Sequence, residues 1–286
     1  MSEKYRPPID LEADFGDDVI SVDEVARESL LIASEGPSTQ RLAELTNRKP
    51  LLTIENLRAG YGAMEILHGV HLQVAGGQSL CLIGPNGAGK STVLHSIYGF
   101  TRIYSGAIRT NGDDITGLTA NEKLSRAGIA YVLQDNSVFP DMTVEENLWM
   151  GGYLMASSER AREAAERVFR KYTQLAERRN QPARVLSGGE RRLLEIARAL
   201  VMEPRILLVD EPSIGLEPRY IDMVFEILAD LQRGEGKTII MVEQNAQKGL
   251  EFADIGYLLV SGSVAMADTG HNLLKHRHVE RLFLGG

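Results

Sequence analysis

The stretch GPNGAGKST, residues 84–92, constrains this chain more than any other. It fits G-x-x-x-x-G-K-[ST], with Gly84, Gly89, Lys90 and Ser91 at the fixed places. The apolar run SLCLI precedes it, and STVLHSIY, with helical character, follows. Strand, glycine loop and helix in that order wrap backbone amides around an anion. The glycines let the main chain close on it, and the helix N-terminus points at it. The loop formed by Gly84, Pro85, Asn86, Gly87, Ala88 and Gly89, continued by Lys90, Ser91 and Thr92, is therefore expected to bind a nucleoside triphosphate. Lys90 would reach the β- and γ-phosphates, and Ser91 would ligate Mg2+.

Two further stretches carry chemistry. RILLVDEP reads as a buried strand ending in two acids, Asp210 and Glu211. The C-terminal ends of such strands are where an open parallel sheet binds its ligands. Asp210 is expected to hold Mg2+ through water, and Glu211 to take a proton from an attacking water. In LSGGE, Ser187 and Glu190 are spaced as a capping box ahead of the helical run RRLLEIARAL. Gly188 and Gly189 leave that helix N-terminus open, so it could hold an anion by amides and dipole. Alone, the same four residues read as a plain helix cap.

Residues 1–50 differ from the rest. They hold 11 Asp/Glu against 6 Lys/Arg, so most of the net charge of −8 lies there, with prolines at 7, 8, 37 and 50. An acidic extension, disordered or loosely docked, is expected, with one short helix over VDEVARESLLIA. From residue 51 the pattern is globular. LLTIENL reads as a strand, and HLQVAGGQSLCLIG as two strands split at Gly-Gly. An Asn-Gly pair at 111–112 marks a hairpin. GIAYVL is a strand leading to Gln134, and Thr143 with Glu146 forms another capping box. Residues 141–203 read as a mainly helical block, after which strands and helices alternate.

The acidic balance argues against a nucleic-acid surface. A single cysteine, Cys81, excludes an internal disulfide and fits a cytosolic protein. No run of 18 apolar residues is present, and MSEKYRPPIDLEADFGDD has no apolar signal core.

GPNGAGKST, LSGGERRLLEIARAL and RILLVDEPSIGLEP, in this order and spacing, resemble the ATPase subunits of ABC transporters over about residues 51–286. The resemblance implies an α/β, P-loop NTPase fold of the ABC ATPase kind: a RecA-like core, an antiparallel β subdomain and a helical subdomain. It implies that ATP and Mg2+ are used. Two such subunits would close face to face, each ATP held between one chain's phosphate loop and the other's Ser187, Gly188, Gly189 and Glu190. Tyr61 matches the aromatic that stacks on adenine, and Gln134 the glutamine that touches Mg2+ and links to the membrane subunit. Gln244 stands where the family usually has a histidine that touches the γ-phosphate. Glu211, Gln244 and Lys90 would then be catalytic, with Ser91, Gln134 and Asp210 at the metal. Glu217 occupies a place usually held by aspartate in the dimer-contact loop.

The stretches YSGAIRTNGDDITGL, FPDMTVEENLWMGG and IIMVEQNAQKGLEFADIGYLLVSGSVAMADTG are similar to the branched-chain amino acid importer group. This implies a second ATPase subunit, two integral-membrane permeases and, indirectly, a periplasmic binding protein as partners. The location implied is the cytoplasmic face of the cell membrane. Other cargo, such as urea, amides or an exported lipid, stays open, as does a soluble non-transport ABC ATPase.

Overall fold

A computed structural model describes residues 37–134 and 137–283. The helix expected over VDEVARESLLIA lies outside these residues. Two sheets organise the chain. β1 (Pro50–Tyr61), β2 (Met64–Ala75), β4 (Arg102–Thr110) and β5 (Asp113–Asp114) form an antiparallel sheet in the order β2-β1-β4-β5. The second sheet contains β3 (Ser79–Ile83), β6 (Ile129–Val132), β7 (Ile206–Asp210), β8 (Thr238–Val242), β9 (Ile255–Val260) and β10 (Ser263–Thr269). Its order is β10-β9-β3-β8-β7-β6, parallel except for the antiparallel edge strand β10.

The sequence accounts for these choices. β3, β7, β8 and β9 are buried along their whole length, as their unbroken apolar runs require of strands covered on both faces. Asn111 and Gly112 both have positive φ, so the hairpin between β4 and β5 takes the turn that Asn-Gly favours. The Gly-Gly between β2 and β3 does not make a hairpin. Those strands enter different sheets, so the turn carries the chain from one to the other.

Two apolar clusters fill the interior. One lies between the sheets, where Leu52, Ile54, Leu67 and Leu72 face Leu80, Leu82, Ile240 and Tyr257, with Leu94 and Ile97 of the helix Lys90–Tyr98 beside them. The other joins the far face of the parallel sheet to the helices Val144–Gly151, Ser158–Lys171 and Gly188–Leu200. Cys81 points into this second cluster and is fully buried.

One helix falls within the stretch read as an appendage. Thr39–Thr46 is capped by Ser38 and packs on both β2 and β10, that is, on both sheets. Leu42 and Leu45 enter the core between the sheets. Arg41 donates to Asp268 at 2.6 Å, and Gln78 Nε2 donates to the Leu45 carbonyl at 3.2 Å.

Candidate active site

The strand order brings the separate motifs to one edge. β3, β8, β7 and β6 are neighbours and run parallel, so the loops after their C-terminal ends lie side by side. Those loops begin with Gly84, Glu243, Glu211 and Leu133.

The phosphate loop needs its first glycine. Gly84 has φ of +144°, and a Cβ there would sit 2.1 Å from the Leu259 carbonyl oxygen. Gly89 caps the helix Lys90–Tyr98 with no side-chain bond of its own, leaving the helix amides open. Lys90 Nζ donates to the carbonyls of Gly84 and Pro85 at 2.8 and 3.0 Å. Burial pushes the Lys90 ammonium below its usual value, while Glu211 and Asp210 favour its charged form.

Ser91 Oγ donates to Asp210 Oδ1 at 3.0 Å, and Tyr131 O–H donates to Oδ2 at 2.8 Å. Burial pushes the Tyr131 phenol well above its ordinary value, with Asp210 adding to the effect, so it remains a donor. Glu211 follows with φ of +43°, in the left-handed region. For a residue other than glycine this costs on the order of 1–3 kcal/mol and concentrates at functional sites. Its amide still donates to Val242 O at 2.9 Å, so the turn begins while the backbone is anchored to β8. Gln134 Nε2 donates to Glu211 Oε2 at 2.9 Å. Ser91 with Asp210 and Gln134 with Glu211 thus form two hydrogen-bonded pairs on consecutive residues, and the charge of both acids is felt by Lys90.

The remaining expected residues lie around these pairs. Tyr61 is 43% exposed at the end of β1, and its hydroxyl shares a hydrogen bond with Nδ1 of His95 on the helix Lys90–Tyr98. Gln244 is exposed just beyond β8. Ser187 and Glu190 form the expected capping box at the start of Gly188–Leu200. Glu190 pairs with Arg178, and the helix start does not join the polar group around Asp210.

Two residues were not legible beforehand. Tyr131 is one; Arg192 is the other. Arg192 is 5% exposed on the helix Gly188–Leu200. Its guanidinium donates to the carbonyls of Leu133 and Asp210 and to Glu195. It therefore pins the residues just before Gln134 and Glu211. The only signal available was an arginine next to the apolar pair Leu193–Leu194 in that helix.

A glycine loop feeding a helix from a parallel sheet, with two acids at the end of the next strand but one, defines a P-loop nucleotide hydrolase. The comparisons narrow that class. The ABC transporter family pattern matches residues 67–214. The chain is 41% identical over 236 residues to the high-affinity branched-chain amino acid transport ATP-binding protein BraG of Pseudomonas aeruginosa, covering 82% of this chain and 100% of that protein. It is 37% identical to the probable branched-chain amino acid transport ATP-binding protein LivF of Archaeoglobus fulgidus, over 82% and 99% of the two chains. It is 31% identical to the lipopolysaccharide export system ATP-binding protein LptB of Escherichia coli, over 82% and 97%. Among solved structures, an ATP-binding cassette of an ABC transporter in its ADP conformation aligns with a TM-score of 0.74 at 27% identity, over 84% of this chain and all of that one. The chain belongs to the ABC transporter family, as an ATP-hydrolysing, nucleotide-binding subunit. No helix among the described residues is long and apolar enough to cross a membrane.

Proposed function

We propose that this subunit energises an importer of branched-chain or other hydrophobic amino acids from the cytoplasmic face of the membrane. The cargo class follows from the 41% and 37% identity to the two branched-chain amino acid transport proteins, each matched over nearly its whole length. The partners are a second ATPase subunit, two membrane permeases and, through them, a periplasmic binding protein.

The hydrolytic reading rests on one observation: at the end of the parallel sheet Ser91 bonds Asp210, Gln134 bonds Glu211, and both acids lie close enough to Lys90 to favour its charged form. Loop amides and Lys90 hold the phosphates of ATP. Tyr61 stacks on adenine. Among the described residues, no cluster of three or more His, Cys, Asp or Glu could hold a metal by itself. That donor set suits Mg2+, which is commonly bound through one or two carboxylates together with substrate phosphates. Ser91, Asp210 and Gln134 would supply the protein oxygens, and the metal would neutralise charge on the phosphates. Glu211 accepts the proton of the attacking water, and Gln244 offers it or the γ-phosphate a hydrogen bond. Ser187, Gly188, Gly189 and Glu190 close over the ATP of the facing subunit.

The test is reconstitution of the chain with its permeases in vesicles, with a binding protein loaded with leucine or left empty. Leucine-dependent stimulation of ATP hydrolysis and leucine uptake support the reading. Hydrolysis indifferent to every amino acid, but raised by a lipid, would move the assignment to the export reading that the LptB relationship favours.

A further inference from the structure

The backbone ladder between β7 and β8 pairs Asp210 with Val242, and its last bond is Glu211 N to Val242 O at 2.9 Å. Beyond that point the two loops separate, one carrying Glu211 and the other Gln244. The Glu243 side chain continues the connection. Glu243 is 2% exposed. Its Oε1 accepts from Ser213 Oγ at 2.7 Å and from the Asn245 amide at 2.9 Å, and its Oε2 accepts from the Ser213 amide at 3.3 Å.

A carboxyl group this deeply buried is costly unless its oxygens are hydrogen-bonded. Here each donor belongs to one of the two loops. Two come from Ser213, two residues after Glu211, and one from Asn245, the residue after Gln244. Asn245 in turn caps the helix Ala246–Phe252 through the Lys248 amide, so that end of the tie is anchored on a helix. Ser213 is itself only 8% exposed. The two loops then frame a recess of about 530 Å³, lined by Ser213, Ile214, Gly215, Gln244 and Asn245.

We propose that Glu243 is a positioning residue for hydrolysis: it fastens the loop after Glu211 to the loop bearing Gln244, and so sets the spacing between those two side chains. The proposal rests on the reading of Glu211 and Gln244 as the groups that act on water and γ-phosphate. Glu243 touches neither ATP nor water in this role. It is separate from nucleotide binding, which the phosphate loop provides, so losing the tie alters turnover and spares affinity.

The test compares Ser213→Ala, Glu243→Gln and the double variant in the full chain, with Mg2+ and ATP. Ser213→Ala removes a single hydroxyl. Glu243→Gln keeps the shape but opposes its amide group to a backbone N–H. Displacements of about 1 Å at a reacting group cost up to about 10²-fold, so kcat is expected to fall roughly 10- to 100-fold in each single variant. KM for ATP should stay within about twofold, the pattern of a lost transition-state interaction. The double variant should be little worse than the poorer single one, because both remove the same tie. Amide exchange at 244–245 should quicken in Ser213→Ala although the mutation lies on the other loop. Glu211→Gln, run alongside, separates the two levels. If it is inactive while both single variants turn over normally, the proposal falls and the hydrolytic reading stands. If Glu211→Gln is itself fully active, the underlying reading falls. A KM rise that matches the kcat loss would make Glu243 a general structural support and would also overturn the proposal.

Discussion

Gln134 and Glu211 stand 77 residues apart in sequence and 2.9 Å apart in space, the side-chain amide of the first donating to the carboxylate of the second. The bond spans the ends of adjacent strands, β6 and β7, and Arg192 holds the backbone on both sides of it. The acid proposed to activate water is thus aimed by a residue just after β6, on a backbone that Arg192 of the helical block holds in place. Movement of that block would reach it directly.

Glu211→Gln is expected to bind ATP normally and hydrolyse it about 10²–10⁴-fold more slowly, the usual contribution of a general base. The substituted amide can still accept from Gln134, so the geometry survives while the base is lost. Nucleotide retention and phosphate release, measured on the same preparation with the facing site disabled, check both halves.

Gly188 and Gly189 should respond differently. A Cβ at Gly188 meets only Leu216 Cδ2 at 3.6 Å, an ordinary contact. A Cβ at Gly189 would fall 2.1 Å from the Tyr220 ring. Gly188→Asp is therefore expected to fold, to bind ATP in the isolated subunit, and to lose turnover in the assembled pair, where it faces a partner's phosphate. Gly189→Ala should instead lower the thermal midpoint of the isolated subunit.

Lys123 supplies a pH dependence. It is fully buried, its Nζ has no hydrogen-bond partner, and burial pushes its ammonium down to about 8 from the ordinary 10.5. Between these values the unfolded chain holds more protons than the folded one, so this group makes stability rise with pH. Below about 8 the penalty is complete, on the order of 3 kcal/mol. Lys123→Met is expected to be more stable than the parent at pH 7, with an advantage that shrinks between about pH 8 and pH 10.5. Urea unfolding of both proteins across that range reads the difference.

The N-terminal helix divides two truncations. Removing residues 1–36 leaves the seat of Leu42 and Leu45 intact, and ATPase activity should change little. Removing residues 1–49 uncovers that seat and breaks the Arg41–Asp268 pair. Each buried leucine contributes about 1.5–3 kcal/mol before the cost of ordering the helix. At roughly 2–4 °C per kcal/mol for a chain of this size, the midpoint should fall by several degrees, measurable by calorimetry.

Much of this site could be read from the sequence because its parts are local. The phosphate loop, the two acids and the capping boxes at Thr143 and Ser187 each lie within a few consecutive residues, and each has its own backbone signature. What could not be read depends on register between distant strands. Tyr131 reaches Asp210 only because β6 and β7 pair Tyr131 with Leu208 and Val132 with Val209. Ser213 reaches Glu243 for the same kind of reason across β7 and β8. Helix Thr39–Thr46 escaped because acidic and proline-rich neighbours dilute its two leucines. Its local signal was a serine cap followed by leucines at 42 and 45.

The sealed thiol has a practical consequence. Cys81 is the chain's one cysteine, it is wholly buried, and burial pushes its thiol far above neutrality. Toward a maleimide or a spin label the folded chain therefore behaves as thiol-free without any prior mutation. Reporter cysteines at Met64, 66% exposed on the antiparallel sheet, and Val185, 58% exposed ahead of the helix Gly188–Leu200, would be the only thiols to react. A dye or nitroxide pair at those positions would track the separation of the two subdomains through the ATP cycle, in a protein otherwise native.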